Sequence, residues 1–326
     1  MERESLTNNG KEDSIKKEQC SFFEVISESF NQEEAVKTAI ITDSNSGMTA
    51  ADGERWRITI LPMPFFIDGK SYLEGQNLSS EEFFRLQERG AKITTSQPVV
   101  GDLIDVWERT LNEADDLVYI PMSAGLSGSY ETAKLLAKEY GGRVQVVNNY
   151  RISATQKASA LRAAELRDAG WDAAAIREQL EKEAGDATIY LAVNDLTYLK
   201  KGGRITPAVA AIGSVLNIKP VLKIPEGRID MFAKTRGMKK AHQVMVEALK
   251  KELEGRFAGK EMEVHTAYTG TAEQGEEWRR YIQDIFPGNV VTANILPLSI
   301  AAHTGSGAVG VGCVAKARNP EYSLIS

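Results

Sequence analysis

Residues 115–130, DDLVYIPMSAGLSGSY, constrain the fold more than any other stretch of the chain. Leu117, Val118, Tyr119 and Ile120 are apolar, β-branched or aromatic, the make-up of a buried strand. Pro121 has no N–H to give to a ladder, so the strand ends there. Residues 123–128 are mostly small, and 129–140 then read as a helix with Leu135, Leu136 and Tyr140 on its apolar side. A small-residue loop between the carboxyl end of a strand and the start of a helix is where open parallel sheets bind ligands. Free backbone N–H groups there, beside the Ser123 and Ser127 hydroxyls, would suit a carboxylate or phosphate. The same residues also suit a tight turn that needs glycine and binds nothing.

Around this run, strand and helix patterns alternate. Strands are expected at 39–41 and 144–147, and helices at 103–111, 154–169 and 172–182. That alternation predicts an α/β amino-terminal domain with a mainly parallel sheet flanked by helices. The run 58–67 contains Pro62 and Pro64 and cannot be a regular central strand, so a short excursion or ligand-facing ribbon is expected there. The second half offers strands at 188–193, 262–268 and 290–296, a hairpin from 219–224 to 228–233, and helices at 238–253 and 271–285. These predict a second α/β domain with a mixed sheet. Shorter helices are expected around 195–199 and 207–216.

A chain of 326 residues exceeds the size at which one core usually stops growing, so two domains are expected. We place them at 37–155 and 156–326, with the helical region 156–185 able to bridge both. Residues 1–36 form a leader dominated at its start by Glu, Lys, Asn and Ser, which has little to bury and is expected to be disordered. Within it, Phe22, Phe23, Val25 and Ile26 could form a helical turn that docks on the body.

A formal charge of −6 gives no general reason to expect binding to nucleic acid or an anionic membrane. Cys20 and Cys313 make neither a disulfide framework nor a thiolate metal site. No segment approaches ~20 uninterrupted apolar residues, and the start lacks the features of a secretion signal, so stable membrane insertion is not expected and the cytoplasm is the expected location. Neither a phosphate-cradling nucleotide loop nor a dinucleotide fingerprint is present, so no cofactor is expected. His242, His265 and His303 lack ligand spacing, so no metal is expected either.

What remains is a set of hydrogen-bond donors in polar loops. Asp43 and Ser44 follow the first strand, Thr95 and Ser96 lie in TTSQP, and Ser123 follows the strand at 117–120. Gly202 and Gly203 can let the backbone pass close to another group, with Arg204 as a fixed positive charge beside them. His303, with Thr304 next to it, sits in a predicted glycine-rich loop before a small-residue strand, where an imidazole can donate to an anion. Each residue alone also has a structural reading as a cap, a helix stop or a satisfied histidine. Together they favour holding an anion, through charge-assisted bonds contributing roughly 1.5–3 kcal/mol each. An apolar channel behind them would add about 0.8 kcal/mol per buried methylene. Ser123, His303 and Asp43 also allow a serine-dependent acyl hydrolase or transferase, although the local string GLSGS is not the G-x-S-x-G elbow.

The motifs AIITDSNSG, ITILPMPFFIDGKSYLEG, TTSQP, PMSAGLSGSY, VNDLTYLKKGGRI, GSVLNIKPVLKIPEGRI and HTGSGAVGVG occur in that order between residue 39 and about 316. In these the chain resembles the DegV family of bacterial fatty-acid-binding proteins. The resemblance implies a long-chain fatty acid held between the two domains, with no catalysis of the chain's own. Some members present the bound acid to a separate fatty acid kinase, which makes an acyl phosphate for phospholipid synthesis. It further implies that Thr95 and Ser123 bind the carboxylate, His303 closes the polar network and Arg204 lies near that end. Ser96, Ser127 and Gly125 would shape the loops, with Asp43 ordering the pocket edge and Ser44, Gly202, Gly203 and Thr304 close by. The family often has a second serine where this chain has Ala124, so one hydroxyl is missing and only the Ala124 N–H remains. A lipid-responsive regulatory or scaffolding protein is a further reading of the same resemblance.

Overall fold

The computed structural model describes residues 36–194, 196–206, 209 and 218–324. The leader up to residue 35, Asp195, and the small-residue helix expected at 207–216 (Val209 apart) lie outside the described residues.

The fold is α/β, with three sheets among the described residues. The first contains β1 (Thr38–Asp43), β2 (Ile58–Leu61), β6 (Asp116–Ile120) and β7 (Val144–Val146) in the order β2-β1-β6-β7, all parallel. β1 and β6 are central and buried on both faces, which is why each reads as a nearly continuous apolar run. Strand alternation divides their side chains between two layers. Ile40, Val118 and Ile120 pack under helices Ala154–Asp168 and Ala173–Lys182, where Ala160, Ala163 and Ala164 let the helix approach closely. Ile41, Leu117 and Tyr119 pack under helices Val100–Leu111 and Ser129–Ala137 around Trp107. Within the latter helix the buried side is Tyr130 and Ala133, whereas Leu135, expected inside, is 63% exposed. Leu136 and Tyr140 pack against this core as expected, and Leu135 lies out of phase with them on the helix.

Pro62 and Pro64 break the apolar run 58–67 as expected. Ile58–Leu61 edges the parallel sheet, and β3 (Pro64–Ile67) joins β4 (Lys70–Leu73) and β5 (Ile93–Thr95) in a separate antiparallel sheet of order β4-β3-β5. Helix Ser80–Glu88 covers it with Phe83 and Phe84, against Phe65.

The second large sheet runs β10-β9-β8-β13-β11-β12, comprising β8 (Ala187–Ala192), β9 (Ile218–Lys223), β10 (Asp230–Arg236), β11 (Met262–Tyr268), β12 (Thr292–Ile295) and β13 (Val309–Ala315). It is mixed, because β11 and β12 pair parallel and all other pairs are antiparallel. Helices Met238–Glu254 and Ala272–Ile285 cover one face through Tyr190, Val264 and Trp278. On the other face Leu191 and Leu222 cluster with Leu126 and Ile152 from the first half of the chain. A final short helix, Leu298–Thr304, carries His303, so this residue is not in the glycine-rich loop expected from the sequence. That loop begins only at Gly305, which ends the helix with φ 75°.

Candidate functional site

In the parallel sheet the chain leaves β1 toward β2 and leaves β6 in the opposite direction, toward β7. The loops after β1 and β6 therefore part at a topological switch point, where the strand ends leave a crevice. Asp43 holds the two loops together. Its Oδ2 accepts from the Met122 N–H at 2.9 Å, and Oδ1 accepts from the Asn45 N–H at 3.0 Å and from Gln156 Nε2 at 3.0 Å. The side chain is fully buried, and burial raises its pKa despite these bonds. Ser44 extends the scaffold by accepting the Met63 N–H at 3.0 Å.

Three elements then converge on the crevice mouth. β5 pairs with β3 and delivers Thr95 at its end. Helix Leu298–Thr304 delivers His303, and Thr95 Oγ1 lies 2.8 Å from His303 Nε2. Helix Thr197–Gly202 ends at Gly203 in the left-handed region, and Arg204 follows with its guanidinium donating to the Gly202 carbonyl. Gly202 lies flat beneath the imidazole, since a Cβ there would sit 2.0 Å from His303 Nδ1. Burial, and secondarily the Arg204 charge, push the His303 pKa down to about 4, so the ring is neutral near pH 7.

The helix that carries His303 is itself anchored from the excursion. Glu74 Oε1 and Oε2 accept the Leu298 and Ser299 N–H groups at 2.7 and 3.0 Å, satisfying two donors that a helix start leaves open. Ser299 Oγ donates to Asn45 Oδ1 at 2.6 Å, linking this helix to the loop after β1. Glu74→Ala is expected to lower the unfolding free energy by about 1–2 kcal/mol, the cost of a lost N-terminal cap, measured as a shift in urea midpoint.

These elements enclose a cavity of about 230 Å³. Thr95, Ser96, Arg204 and His303 make its polar end, and Leu126, Ile152, Leu199, Ile229 and Ile300 make apolar walls. Ile152 and Ile300 also line a second, almost wholly apolar cavity of about 40 Å³, against β8, β11 and β13. On the other side, Thr95, Arg204 and His303 face an outer groove of about 520 Å³ that carries Lys92 and Lys201. The polar cluster thus stands where an apolar interior meets a basic groove.

Of the residues singled out from sequence, Thr95, Ser96, Ser127, Arg204, His303 and Thr304 line the 230 Å³ cavity together. Ser127 Oγ lies 2.7 Å from Ser129 Oγ, and Gly202 backs the imidazole. Asp43 and Ser44 stand one layer behind. Ser123 is not brought to the cavity. Its hydroxyl donates to the Gly227 carbonyl at 3.2 Å and accepts from the Gly125 N–H at 3.2 Å, pinning the loop to the β9–β10 turn. Gly227 is required there, because it has φ 72° and a Cβ would collide with Ser123 Oγ. Gly125 packs on the same turn, and Ala124 packs toward the core of the parallel sheet. With Ser123 bonded to Gly227, His303 to Thr95 and Asp43 to Met122, the three residues do not form a Ser–His–Asp relay. Asn45, Gln97, Ser299 and Ile300 also line the cavity and were not anticipated. Asn45 and Gln97 sit inside motifs that had drawn attention, whereas Ser299 and Ile300 depend on a helix that the sequence did not reveal.

The described residues hold no cluster of three or more His, Cys, Asp or Glu side chains able to bind a metal ion, and no helix among them is long and apolar enough to cross a membrane. Comparison with known proteins finds a family model, that of uncharacterised proteins of the DegV family, matching residues 37–316. A DegV domain-containing protein of Listeria innocua is 31% identical over 278 residues, covering 84% of this chain and 97% of that protein. A DegV family protein from Thermus thermophilus, described as binding fatty acid, superposes with a TM-score of 0.77 at 32% identity, covering 86% of this chain and 99% of its own. A fatty acid binding DegV family protein from Streptococcus agalactiae superposes with a TM-score of 0.78 at 28% identity, covering 86% and 100%. The chain belongs to the DegV family.

Proposed function

We propose that this protein binds a long-chain fatty acid with its carboxylate at the Thr95–His303–Arg204 cluster and its tail in the apolar interior. The observation that carries this reading is the shared wall: Ile152 and Ile300 line both the cavity with the polar mouth and the apolar pocket behind it. A ligand reaching from one to the other must be polar at one end and aliphatic along its length. The Thr95 hydroxyl and the Arg204 guanidinium supply donors to a carboxylate, and each such bond contributes roughly 1.5–3 kcal/mol. Buried methylenes add about 0.8 kcal/mol apiece, so the tail dominates affinity and the cluster fixes direction. Ser123 then serves by holding the loop, and its hydroxyl need not touch the acid. Fatty acid binding by the relatives from Thermus thermophilus and Streptococcus agalactiae supports the same reading.

The carboxylate would face the outer groove with Lys92 and Lys201, open to a second protein that acts on it. A separate fatty acid kinase that phosphorylates the presented acid is the partner we propose, with this chain as carrier and not catalyst. Freshly purified protein, denatured and analysed by mass spectrometry, is expected to release a long-chain fatty acid close to equimolar with the chain. Repeated preparations without any acyl ligand, together with no binding of added fatty acids, would overturn the proposal.

A further inference from the structure

The family match ends at residue 316, and the described residues beyond it, 317–324, pack against both halves of the chain. The tail leaves the second large sheet at the end of β13, where the Lys316 N–H donates to the Glu261 carbonyl at 2.9 Å. It then crosses to the first half. The Asn319 N–H donates to Glu165 Oε1 at 2.7 Å, and Asn319 Oδ1 accepts the Glu321 N–H at 3.1 Å, starting a short turn over Pro320–Tyr322. Asn followed by Pro favours such a turn. The Tyr322 ring sits 5.0 Å from that of Trp56, at the end of helix Ala50–Trp56, and its hydroxyl donates to Asp168 Oδ2 at 2.5 Å.

The tail then returns to the second sheet. The Ser323 hydroxyl donates to Glu263 Oε1, and the Leu324 N–H donates to Oε2 at 3.1 Å. Glu263 lies on β11 and is only 6% exposed, so the tail supplies hydrogen bonds to both oxygens of a buried carboxylate. Tyr322 and Leu324 also pack on the core that Ile58 and Leu161 help to build in the first half. Both ends of this strap are thus fixed to the second sheet, and its middle to the first half. The helix it grips, Ala154–Asp168, carries Glu165 and Asp168 in its last turn, while Ile152, Ser153 and Ala154 at its other end line the small apolar cavity. A helix of 15 residues rising about 1.5 Å each puts roughly 20 Å between grip and cavity, and none of residues 317–324 lines either cavity.

We propose that residues 317–324 are a clasp that holds the two halves closed over the acyl tail and sets how fast a fatty acid exchanges. The inference rests on the fatty-acid reading above and adds a control on exchange at that site. Leu126 and Ile152 from the first half and Leu199 and Ile229 from the second wall the cavity, so an acyl tail between them is freed when the halves part. Parting them draws Glu165 and Asp168 away from Glu263, and the strap must first let go on one side. Loosening the strap raises the population of the opened form, which admits and releases ligand alike. Entry and exit then speed up together while affinity stays nearly constant.

The test is stopped-flow exchange of a fluorescent polyene fatty acid on the unaltered chain, on a chain lacking residues 317–326, and on Tyr322→Phe, which keeps the ring and loses only the bond to Asp168. In the shortened chain both association and dissociation rates are expected to rise about ten- to a hundredfold, with the dissociation constant changed less than about threefold. Tyr322→Phe should raise both rates about two- to fivefold, in line with the loss of one partly exposed hydrogen bond. Unchanged rates in the folded variants, with the acid still bound, would overturn the clasp and leave the carrier reading standing. Faster dissociation with unchanged association would also overturn it, since that marks a tail that stabilises only the bound form. Failure of the unaltered chain to bind any acid would overturn the carrier reading and the clasp with it. Where the shortened chain does not fold, the rates of Tyr322→Phe decide.

Discussion

Gly202→Ala is expected to weaken fatty acid binding 10- to 100-fold and to lower stability by about 1–3 kcal/mol. The added methyl group would sit 2.0 Å from His303 Nδ1 and 2.6 Å from Cε1, far inside contact distance. Gly202 is the last residue of helix Thr197–Gly202, so its backbone cannot retreat without unwinding that turn. The imidazole must move instead and abandon Thr95 Oγ1, now 2.8 Å from its Nε2. With the ring displaced, the mouth loses at least one donor to the carboxylate, which is worth roughly 1.5–3 kcal/mol and corresponds to the stated loss. Folding is weakened as well: forcing a methyl group into space the imidazole fills costs about 1–3 kcal/mol, more than the up to about 1 kcal/mol that alanine gains over glycine inside a helix. Titration calorimetry with a saturated long-chain acid measures the first effect and thermal unfolding the second. Unchanged affinity in a folded variant would show that the carboxylate does not depend on His303.

This prediction could not have been made from sequence alone, and the reason is physical. The layering of the parallel sheet was legible, because Ile40 and Ile41 or Leu117 and Val118 are adjacent apolar pairs that only a strand covered on both faces can bury. The switch-point loops were legible for the same reason. Orientation within the loops was not. Ser123 follows a central strand, but where its hydroxyl points is decided by the turn at Gly227, 104 residues away. Thr95 and His303 are separated by 208 residues, and no spacing rule brings them together. The helix beneath His303 was obscured because it is seven residues long and runs straight into glycines, and its start is capped by Glu74 from the excursion instead of by a neighbour. Leu135 misled in a simpler way. Tyr130, Ala133, Leu136 and Ala137 fall three or four apart on the inner face of helix Ser129–Ala137, and Leu135 lies out of phase with them.

The ligand-free protein is expected to lose several kcal/mol of stability as the pH falls from about 6.5 toward 4, a loss that begins above the range where most carboxylates titrate. His265 and His303 are both held near a pKa of about 4 by burial, against 6.5 for an ordinary imidazole. Between those values the unfolded chain takes up protons at both positions and the folded chain does not. Their contribution is therefore complete above the ordinary value and is lost as pH falls through the window, amounting to roughly 3 kcal/mol per histidine. Asp43 and Glu74 work in the opposite sense, since burial raises both carboxyl groups above their usual values. Their protonation favours the folded form as pH falls through the raised values, which opposes the histidines. The two histidines alone give a slope near pH 5 of about 2 kcal/mol per pH unit, reduced wherever the two buried carboxyl groups take up protons. Urea unfolding from pH 7 to 4.5 measures this directly, and His265→Leu should remove about half the slope because leucine binds no proton in either state. Equal slopes in the two proteins would mean that His265 titrates normally in the folded chain, and that water reaches the far end of the cavity.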